Sequence, residues 1–246
     1  MLKIATEGMI RLIIFFTLSL FVTVGAYAQT LHEPHMRIAV SNSSSPQVAL
    51  TLDACSGSID MRILDTLIEH RIKATIFITG RWIKSNEKAV KLLNQNSDLF
   101  QIENHGANHV PAIIGKKRPY GIKPAGTAKA VLDELIGGEL AIKLSTNSEP
   151  VWFRGATALY SNDAIELIEQ HNYFIAGFSL NGDIGASASA KATAFRIANA
   201  NNGDVIIAHI NQPKRAAGAG VVKGLLALVE KGFEFVRLDE VEVVGE

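Results

Sequence analysis

From Gln47 onward the chain alternates short runs of apolar, often β-branched residues with segments whose apolar residues are spaced as in a helix. The runs QVALTL (47–52) and ATIFIT (74–79) are typical of buried strands, and the spacing between them predicts a helix over 59–71. The same alternation predicts further strands at 99–103, 151–153, 173–180, 204–208 and 233–238, and further helices at 81–95, 127–142, 161–170, 190–200 and 221–231. Strands that alternate with helices favour βαβ units and a parallel sheet.

Seven or eight such units predict the fold class, an α/β protein built as a distorted (β/α) barrel with seven or eight strands. An open, doubly wound sheet is the alternative. No glycine-rich phosphate loop follows the first clear strand, which argues against the nucleotide-binding version of that alternative.

The first 28 residues have the features of an export signal. Lys3 and Arg11 give a positive start, the stretch 12–24 is almost entirely apolar, and Ala26-Tyr27-Ala28 supplies a small-x-small cleavage site. An apolar run of about 13 residues is shorter than the roughly 20 needed to span a bilayer. We therefore expect the segment to be cleaved and the protein to be periplasmic or secreted, with membrane contact only through an uncleaved signal.

Beyond the signal, the sequence predicts an N-terminal tether and first strand over 29–46 and one catalytic domain over 47–246. The 24 Lys and Arg residues balance the 24 Asp and Glu residues, which argues against a dedicated nucleic-acid binder. The chain has a single cysteine, Cys55, so no internal disulfide can form and the domain must depend on its core. The oligomeric state is left open.

Ionisable residues follow five of the predicted strands, and they are Asp53, His105, Arg154, Asp183 and His209. In parallel barrels the carboxyl ends of the strands converge on the face that carries the active site. We therefore expect these five side chains to lie together.

Two histidines, His105 and His109, stand four residues apart in the sequence H-G-A-N-H. On a helical turn such residues share a face, and two imidazoles so placed can chelate one ion, for which zinc is well suited. Asn104 and Asn108 favour a cap or turn, so the pair is expected to open a short helix. The sequence thus predicts a divalent metal site, with zinc preferred and a carboxylate as the third protein ligand.

The remaining strand-end residues have types that suit supporting chemistry. His209 follows the apolar run VIIA and is a candidate general acid, because its charge changes near neutral pH. Asp183 is a plausible partner that keeps His209 protonated, and the planar fork of Arg154 can orient a carboxylate.

These blocks resemble the polysaccharide deacetylases with the NodB-type barrel, over roughly 47–238. T-L-D-A-C-S-G (51–57) looks like the T-F-D-D-G block of that family, and N-H-G-A-N-H (104–109) matches its H-(S/T)-x-x-H block. The other similar segments, in the order of the family, are A-T-I-F-I-T-G (74–80), W-F-R-G-A-T (152–157), S-L-N-G-D (179–183) and I-I-A-H (206–209).

The resemblance implies a metal-dependent hydrolase that removes acetyl groups from N-acetylated glycans such as peptidoglycan or chitin, so an N-acetylated glycan is the expected partner. It aligns Asp53 with the general base, His105 and His109 with metal ligands, and His209 with the general acid. Asp183 takes the role of tuning the acid and Arg154 that of holding the base. Backbone N–H groups near Thr157 are candidates for stabilising the oxyanion.

The sequence departs from the family at several positions. Ala54 stands where the family has its second first-block carboxylate, Ala156 replaces a proline, Thr157 replaces an aromatic residue, and the fourth-block tryptophan is absent.

Three arrangements of the metal site are therefore open. Asp53 ligates the metal and another group is the base; or Asp53 is the base and water completes a two-histidine site; or Cys55 lends a thiolate, since alternate residues of a strand point the same way. Two other functions also remain, a non-catalytic carbohydrate-binding relative and a metal amidohydrolase that acts on a non-sugar amide.

Overall fold

The computed structural model describes residues 30–39 and 44–245, so the predicted export signal lies outside the described residues. The main sheet has eight strands, which pair in parallel in the order β6-β5-β4-β3-β2-β8-β7, with β9 beside the start of β2. The strands are β2 (Gln47–Ala54), β3 (Ala74–Ile78), β4 (Phe100–Asn104), β5 (Trp152–Phe153), β6 (Phe174–Ile175), β7 (Leu180–Asn181), β8 (Val205–His209) and β9 (Glu234–Val236). The sheet is curled into a half-barrel, which confirms the predicted fold class.

Helices connect the strands and cover the outer face of the sheet. They are α1 (Met61–Glu69), α2 (Gly80–Ser85), α3 (Glu87–Gln95), α4 (Ala128–Ser145), α5 (Asn162–Glu169), α6 (Ala190–Ala198) and α7 (Ala217–Glu230). On β2, alternate residues Leu50, Leu52 and Ala54 belong to the buried cluster that joins the sheet to the helices. Within the described ranges, no helix combines the length and the apolar character that crossing a bilayer requires.

A second cluster fills the inside of the curled sheet and forms the floor beneath the strand ends. It contains Ala49, Phe77 and Val205 from the main sheet and Met36 and Ile38 from the N-terminal segment. The latter two residues belong to β1 (Met36–Ile38), which pairs antiparallel with β10 (Val243–Gly245). The segment that the sequence suggests as a tether and first strand is therefore packed against the barrel in its described part.

The predicted helix over 81–95 is divided into α2 and α3 at Asn86. The Asn86 side-chain amide donates to the carbonyls of Gly57 and Trp82, both at 2.9 Å, and its oxygen accepts from Ile59 N at 3.2 Å. These hydrogen bonds hold the loop after β2, and Asn86 itself is not helical. Asparagine often interrupts a helix in this way, because its side chain competes with the backbone for hydrogen-bonding partners.

Two other local predictions need correction. The run 173–180, predicted as one strand, contributes the two short strands β6 and β7 at opposite ends of the strand order. The residue type of Ser161 predicts an N-cap for the helix at 161–170. Ser161 does precede the first residue of α5, but its hydroxyl accepts from Ile114 N at 2.9 Å and makes no capping hydrogen bond.

Candidate active site

Strand register brings the predicted residues together at the carboxyl edge of the half-barrel. Asp53 of β2 lies opposite His209 of β8, and Asn104 of β4 lies opposite Phe153 of β5. His105 and Arg154, which directly follow these two residues, therefore lie side by side at the carboxyl edge of the sheet.

Asp53 and Arg154 form a buried ion pair. Nη1 of Arg154 lies 3.0 Å from Oδ1 of Asp53, and the arginine side chain is fully buried. Burial by itself raises the pKa of Asp53, but the charges of His105, Arg154 and His209 outweigh it and hold the pKa below its usual value. Asp53 is therefore a carboxylate in this site, oriented by a fixed cation.

Arg154 is itself held by several contacts. It donates to the hydroxyl of Thr51 at 2.9 Å and to the carbonyl of Gly177 at 3.0 Å. Its guanidinium group stacks 4.3 Å from the centre of the Phe77 ring, a cation–π arrangement that stabilises a desolvated arginine. Arg154 is thus held in place where it contacts Asp53, and its orienting role stays a prediction.

His209 and Asp183 form the second ionisable pair. Nδ1 of His209 lies 3.0 Å from Oδ1 of Asp183, and the other carboxylate oxygen accepts from the backbone N–H of His209 at 2.7 Å. Burial lowers the pKa of His209, but hydrogen bonds to Asp183 and Cys55 and their charges raise it, and the net pKa is well above the usual value. The Nδ1 contact leaves Nε2 of the ring as the nitrogen that can exchange a proton with a substrate.

Among the described residues, one group has ligand atoms that all lie within 4.8 Å of one another, and it consists of Cys55, His105 and His109. Sγ of Cys55 is 3.4 Å from Nε2 of His105. The same nitrogen is 3.8 Å from Oδ2 of Asp53, whose carboxylate is not a member of the group. Sulfur and two imidazole nitrogens are a donor set that suits zinc, so these residues fit a divalent metal.

Electrostatics around Cys55 favour the thiolate. Burial raises the pKa of this thiol, but the charge of His105 and hydrogen bonds to His105, His109 and His209 lower it well below its usual value. Cys55 is thus in contact with the histidines of both the metal-type cluster and the acid pair.

The histidine pair does not open a helix as the sequence predicts. Residues 105–109 form a loop directly after β4, in which Gly106 (φ 87°) and His109 (φ 64°) both adopt positive φ. The two imidazole rings nevertheless meet, with centroids 4.9 Å apart. The sequence spacing was therefore informative, although the geometry comes from a turn and not from a helical face.

Glu134 of α4 fixes this loop, a role that the sequence motifs do not indicate. Its buried carboxylate accepts from the backbone N–H groups of Asn108, at 3.0 Å, and Val110, at 3.1 Å, and from the Asn108 side chain at 3.1 Å. Three hydrogen bonds to one carboxylate hold the residues on either side of His109. The signal available in the sequence was a glutamate at a position of α4 that faces the sheet.

Close packing of α4 against the loop depends on a glycine. The side chain of Asn104 accepts from Gly106 N at 2.8 Å and donates to the carbonyl of Leu135 at 2.9 Å. A Cβ at Gly138 would overlap the Asn104 side chain and the Gly106 backbone. Glycine at 138 is therefore required for this approach.

We expect Glu134→Gln to loosen the histidine loop. The substitution removes the charge and replaces one acceptor oxygen by a donor, and hydrogen bonds to charged groups contribute about 1.5–3 kcal/mol each. Unfolding in urea should show a loss of about 2 kcal/mol, and zinc titration should show weaker binding. Asp133→Asn is the matched control, because Asp133 lies on the same helix, is exposed and contacts Lys129. Equal behaviour of the two variants would remove Glu134 from this role.

The segment after Arg154 has an unusual backbone. Thr157 (φ 71°) and Ala158 (φ 51°) both adopt left-handed conformations. The buried hydroxyl of Thr157 has no hydrogen-bond partner among the described residues. The oxyanion role of backbone groups near Thr157 stays a prediction.

The fold and the site define an α/β half-barrel protein with two ionisable pairs and a metal-type cluster at its strand ends. The sequence profile described as polysaccharide deacetylase matches residues 41–176. The chain belongs to the polysaccharide deacetylase family.

Individual relatives agree with this assignment. The peptidoglycan-N-acetylmuramic acid deacetylase PdaA of Bacillus subtilis (strain 168) is 22% identical over 151 residues, which are 61% of this chain and 52% of PdaA. The chain therefore spans about half the length of this curated relative.

Two solved structures show the shared fold. The structure of B. subtilis PdaA, a family 4 carbohydrate esterase, has a TM-score of 0.63 at 20% identity and covers 81% of this chain and 82% of that chain. The structure of BA3943 from Bacillus anthracis, a CE4 family pseudoenzyme, has a TM-score of 0.62 at 19% identity. The match covers 80% of this chain and 66% of that chain. Relatives with one fold thus include a deacetylase and a pseudoenzyme.

Proposed function

We propose that the protein is a metal-dependent hydrolase that removes N-acetyl groups from a cell-envelope or extracellular glycan. The observation that carries the proposal is the combination of three features at one edge of the barrel. A carboxylate is held by an arginine (Asp53 and Arg154), a histidine is held by a carboxylate (His209 and Asp183), and the Cys55–His105–His109 cluster contacts both pairs.

Hydrolysis of an amide needs a base for the attacking water and an acid for the leaving amine. In this proposal Asp53 accepts the proton of the water, and Nε2 of His209 donates a proton to the amine nitrogen. Arg154 keeps Asp53 ionised and oriented, and Asp183 keeps the His209 ring in place. The contact between Arg154 and Asp53 favours the role of base over the role of metal ligand for this carboxylate.

The histidines His105 and His109 are proposed to hold the metal ion. When bound, a divalent ion there supplies Lewis acidity to the acetyl carbonyl and to the water. Zinc is the proposed ion, because two imidazole nitrogens together with sulfur or oxygen form its usual donor set.

The substrate class and location follow from family membership and from the N-terminal sequence. PdaA carries peptidoglycan-N-acetylmuramic acid in its name, and a glycan with N-acetylated sugars is proposed for this protein as well. The apolar segment at 12–24 supports export to the periplasm or the medium.

We expect purified protein to release acetate from N-acetylated glycan fragments, a chelator to abolish the release, and added zinc to restore it. His105→Ala should lose both the bound metal and the activity, because it removes a ligand at the centre of the site. His70→Ala, at an exposed position beside α1, is the control for adventitious metal binding. Metal-loaded protein that releases no acetate from peptidoglycan, chitin or their oligomers would contradict the proposal.

A non-catalytic carbohydrate-binding protein is the second candidate. Ala54 in place of a carboxylate favours it, and a pseudoenzyme shares the fold at 80% coverage of this chain. This candidate predicts glycan binding without turnover and unchanged binding in His209→Ala. Acetate release measured on the same glycan that binds separates the two.

A further inference from the structure

The position of Cys55 relative to the two histidines has the dimensions of a metal site. In tetrahedral zinc sites, Zn–S distances of about 2.3 Å and Zn–N distances of about 2.0–2.1 Å place sulfur and nitrogen about 3.5 Å apart. The observed distance from Sγ of Cys55 to Nε2 of His105 is 3.4 Å. The ligand atoms of Cys55, His105 and His109 lie within 4.8 Å of one another, so an inward movement of the His109 imidazole would complete the triangle.

The orientation of the His105 ring directs Nε2 toward Cys55. Nδ1 of His105 lies 2.5 Å from the backbone carbonyl of Arg154. A carbonyl only accepts, so Nδ1 carries a proton and Nε2 is the nitrogen placed to ligate an ion. Histidine ligands of zinc commonly donate their other ring N–H to a carbonyl or carboxylate in this way.

The backbone around Cys55 is fixed in place. The hydroxyl of Thr79 donates to the carbonyl of Cys55 at 2.7 Å, and the side chain of Asn211 donates to the carbonyl of Ser56. Cys55 is also buried, with 8% of the residue exposed. A buried, positioned sulfur costs little further ordering when it binds an ion.

The two positions that offer a carboxylate ligand in the first block of the family, 53 and 54, are less suitable than Cys55 as metal ligands here. Ala54 belongs to the helix-facing cluster together with Leu50 and Leu52, so position 54 points away from the site on this backbone. Asp53 is paired with Arg154 at 3.0 Å and is outside the group of mutually close ligand atoms. Cys55 directly follows β2, and its sulfur contacts the same His105 nitrogen that faces Asp53. As a thiolate it supplies the single negative charge that a carboxylate ligand would supply.

We propose that the Cys55 thiolate is the third protein ligand of a zinc ion held by His105 and His109, so that sulfur takes the place of the carboxylate ligand. The site is then Cys-His-His and remains open to water and substrate in the fourth position. Asp53 stays free to act as the base. A thiolate also directs metal choice toward zinc and cobalt and away from magnesium, calcium and manganese, which prefer oxygen. The inference rests on the proposed function only in that both place a metal at His105 and His109.

X-ray absorption at the zinc edge of the purified, zinc-loaded protein tests the proposal directly. We expect one sulfur neighbour at about 2.3 Å. Cys55 is the single cysteine of the chain, so a thiolate at that distance can come from no other residue. The cobalt-substituted protein should show sulfur-to-cobalt charge-transfer absorption in the near ultraviolet, and Cys55→Ser should lose it.

Binding measurements give a second readout. Cys55→Ser should weaken zinc binding at least tenfold, whereas Cys55→Asp should bind metal without the charge-transfer absorption, and Ser56→Ala, the matched control beside it, should retain both. Zinc should protect Cys55 from alkylation by iodoacetamide in the wild-type protein. The zinc-edge measurement on wild-type protein decides the matter even where a variant fails to fold.

The outcomes separate this inference from the proposed function. Bound zinc with nitrogen and oxygen neighbours only, together with acetate release, overturns the thiolate ligand and leaves the deacetylase intact. A sulfur neighbour without acetate release supports the ligand and overturns the deacetylase. Absence of zinc binding overturns the ligand, as does alkylation of Cys55 that zinc does not slow.

Discussion

Replacing His209 with alanine is expected to lower kcat for release of acetate from an N-acetylated glycan by about 10²–10⁴-fold, the usual contribution of a positioned general acid. The amine is a poor leaving group unless it is protonated as the bond breaks, and Nε2 of His209 is the ring nitrogen that does not contact Asp183. KM should change much less than kcat, because the proton is transferred only in the transition state.

A substrate with a better leaving group distinguishes an acid from a structural residue. An aryl acetate ester needs no proton on its leaving oxygen, so His209→Ala should retain far more activity on the ester than on the amide. His171→Ala, at an exposed histidine beside α5, should leave both activities unchanged. Equal losses on ester and amide would mean that His209 does not act as the acid.

Arg154→Met is expected to produce the largest loss of stability, about 3–5 kcal/mol, because breaking a buried ion pair leaves an uncompensated charge. The partner left behind is Asp53, and the hydroxyl of Thr51 and the carbonyl of Gly177 lose a donor as well. Methionine has a similar length and keeps the contact with Phe77, so the change reports mainly on charge and hydrogen bonds. Unfolding in urea, monitored by circular dichroism, measures the difference.

A double variant tests the physical reason. Asp53→Asn removes the charge that Arg154→Met leaves unpaired, so the two losses of stability should add to more than the loss in the double variant. Additive losses would show that the destabilisation comes from packing around Arg154 and not from the ion pair with Asp53. Both Asp53→Asn and the double variant should lack acetate release, because each lacks the proposed base.

The alternation of strands and helices was sufficient to predict the class of fold and which residues end the strands. Parallel strands buried on both faces give continuous apolar runs, and Asp53 and His209 each follow such a run. Local departures from the alternation cannot be predicted in this way. Asn86 interrupts a helix because its side chain forms hydrogen bonds with Gly57 and Ile59. These residues are distant in sequence, and the spacing of apolar residues carries no information about such contacts.

For the site, the sequence predicted residue types better than it predicted their arrangement. The histidine pair was found from its spacing, but a left-handed residue at His109 and the carboxylate of Glu134 create the turn that brings the rings together. The role of Cys55 was one of three open arrangements, because the strand pattern alone does not show how far each side chain is from His105. Distances between residues on different strands decide this, and they depend on register, which one sequence does not specify.

The pairing of β1 with β10 has a consequence for the order of folding. Met36 lies opposite Gly245, so the first strand of the described residues pairs with the strand farthest from it in sequence. Contacts between residues so far apart in sequence are expected to form late, because the entropy of closing the loop opposes them. Until it closes, Met36 and Ile38 are missing from the interior cluster that forms the floor of the site. The floor of the site is therefore expected to be among the last parts of the domain to pack, although the strands that carry Asp53 and His209 pair with each other directly.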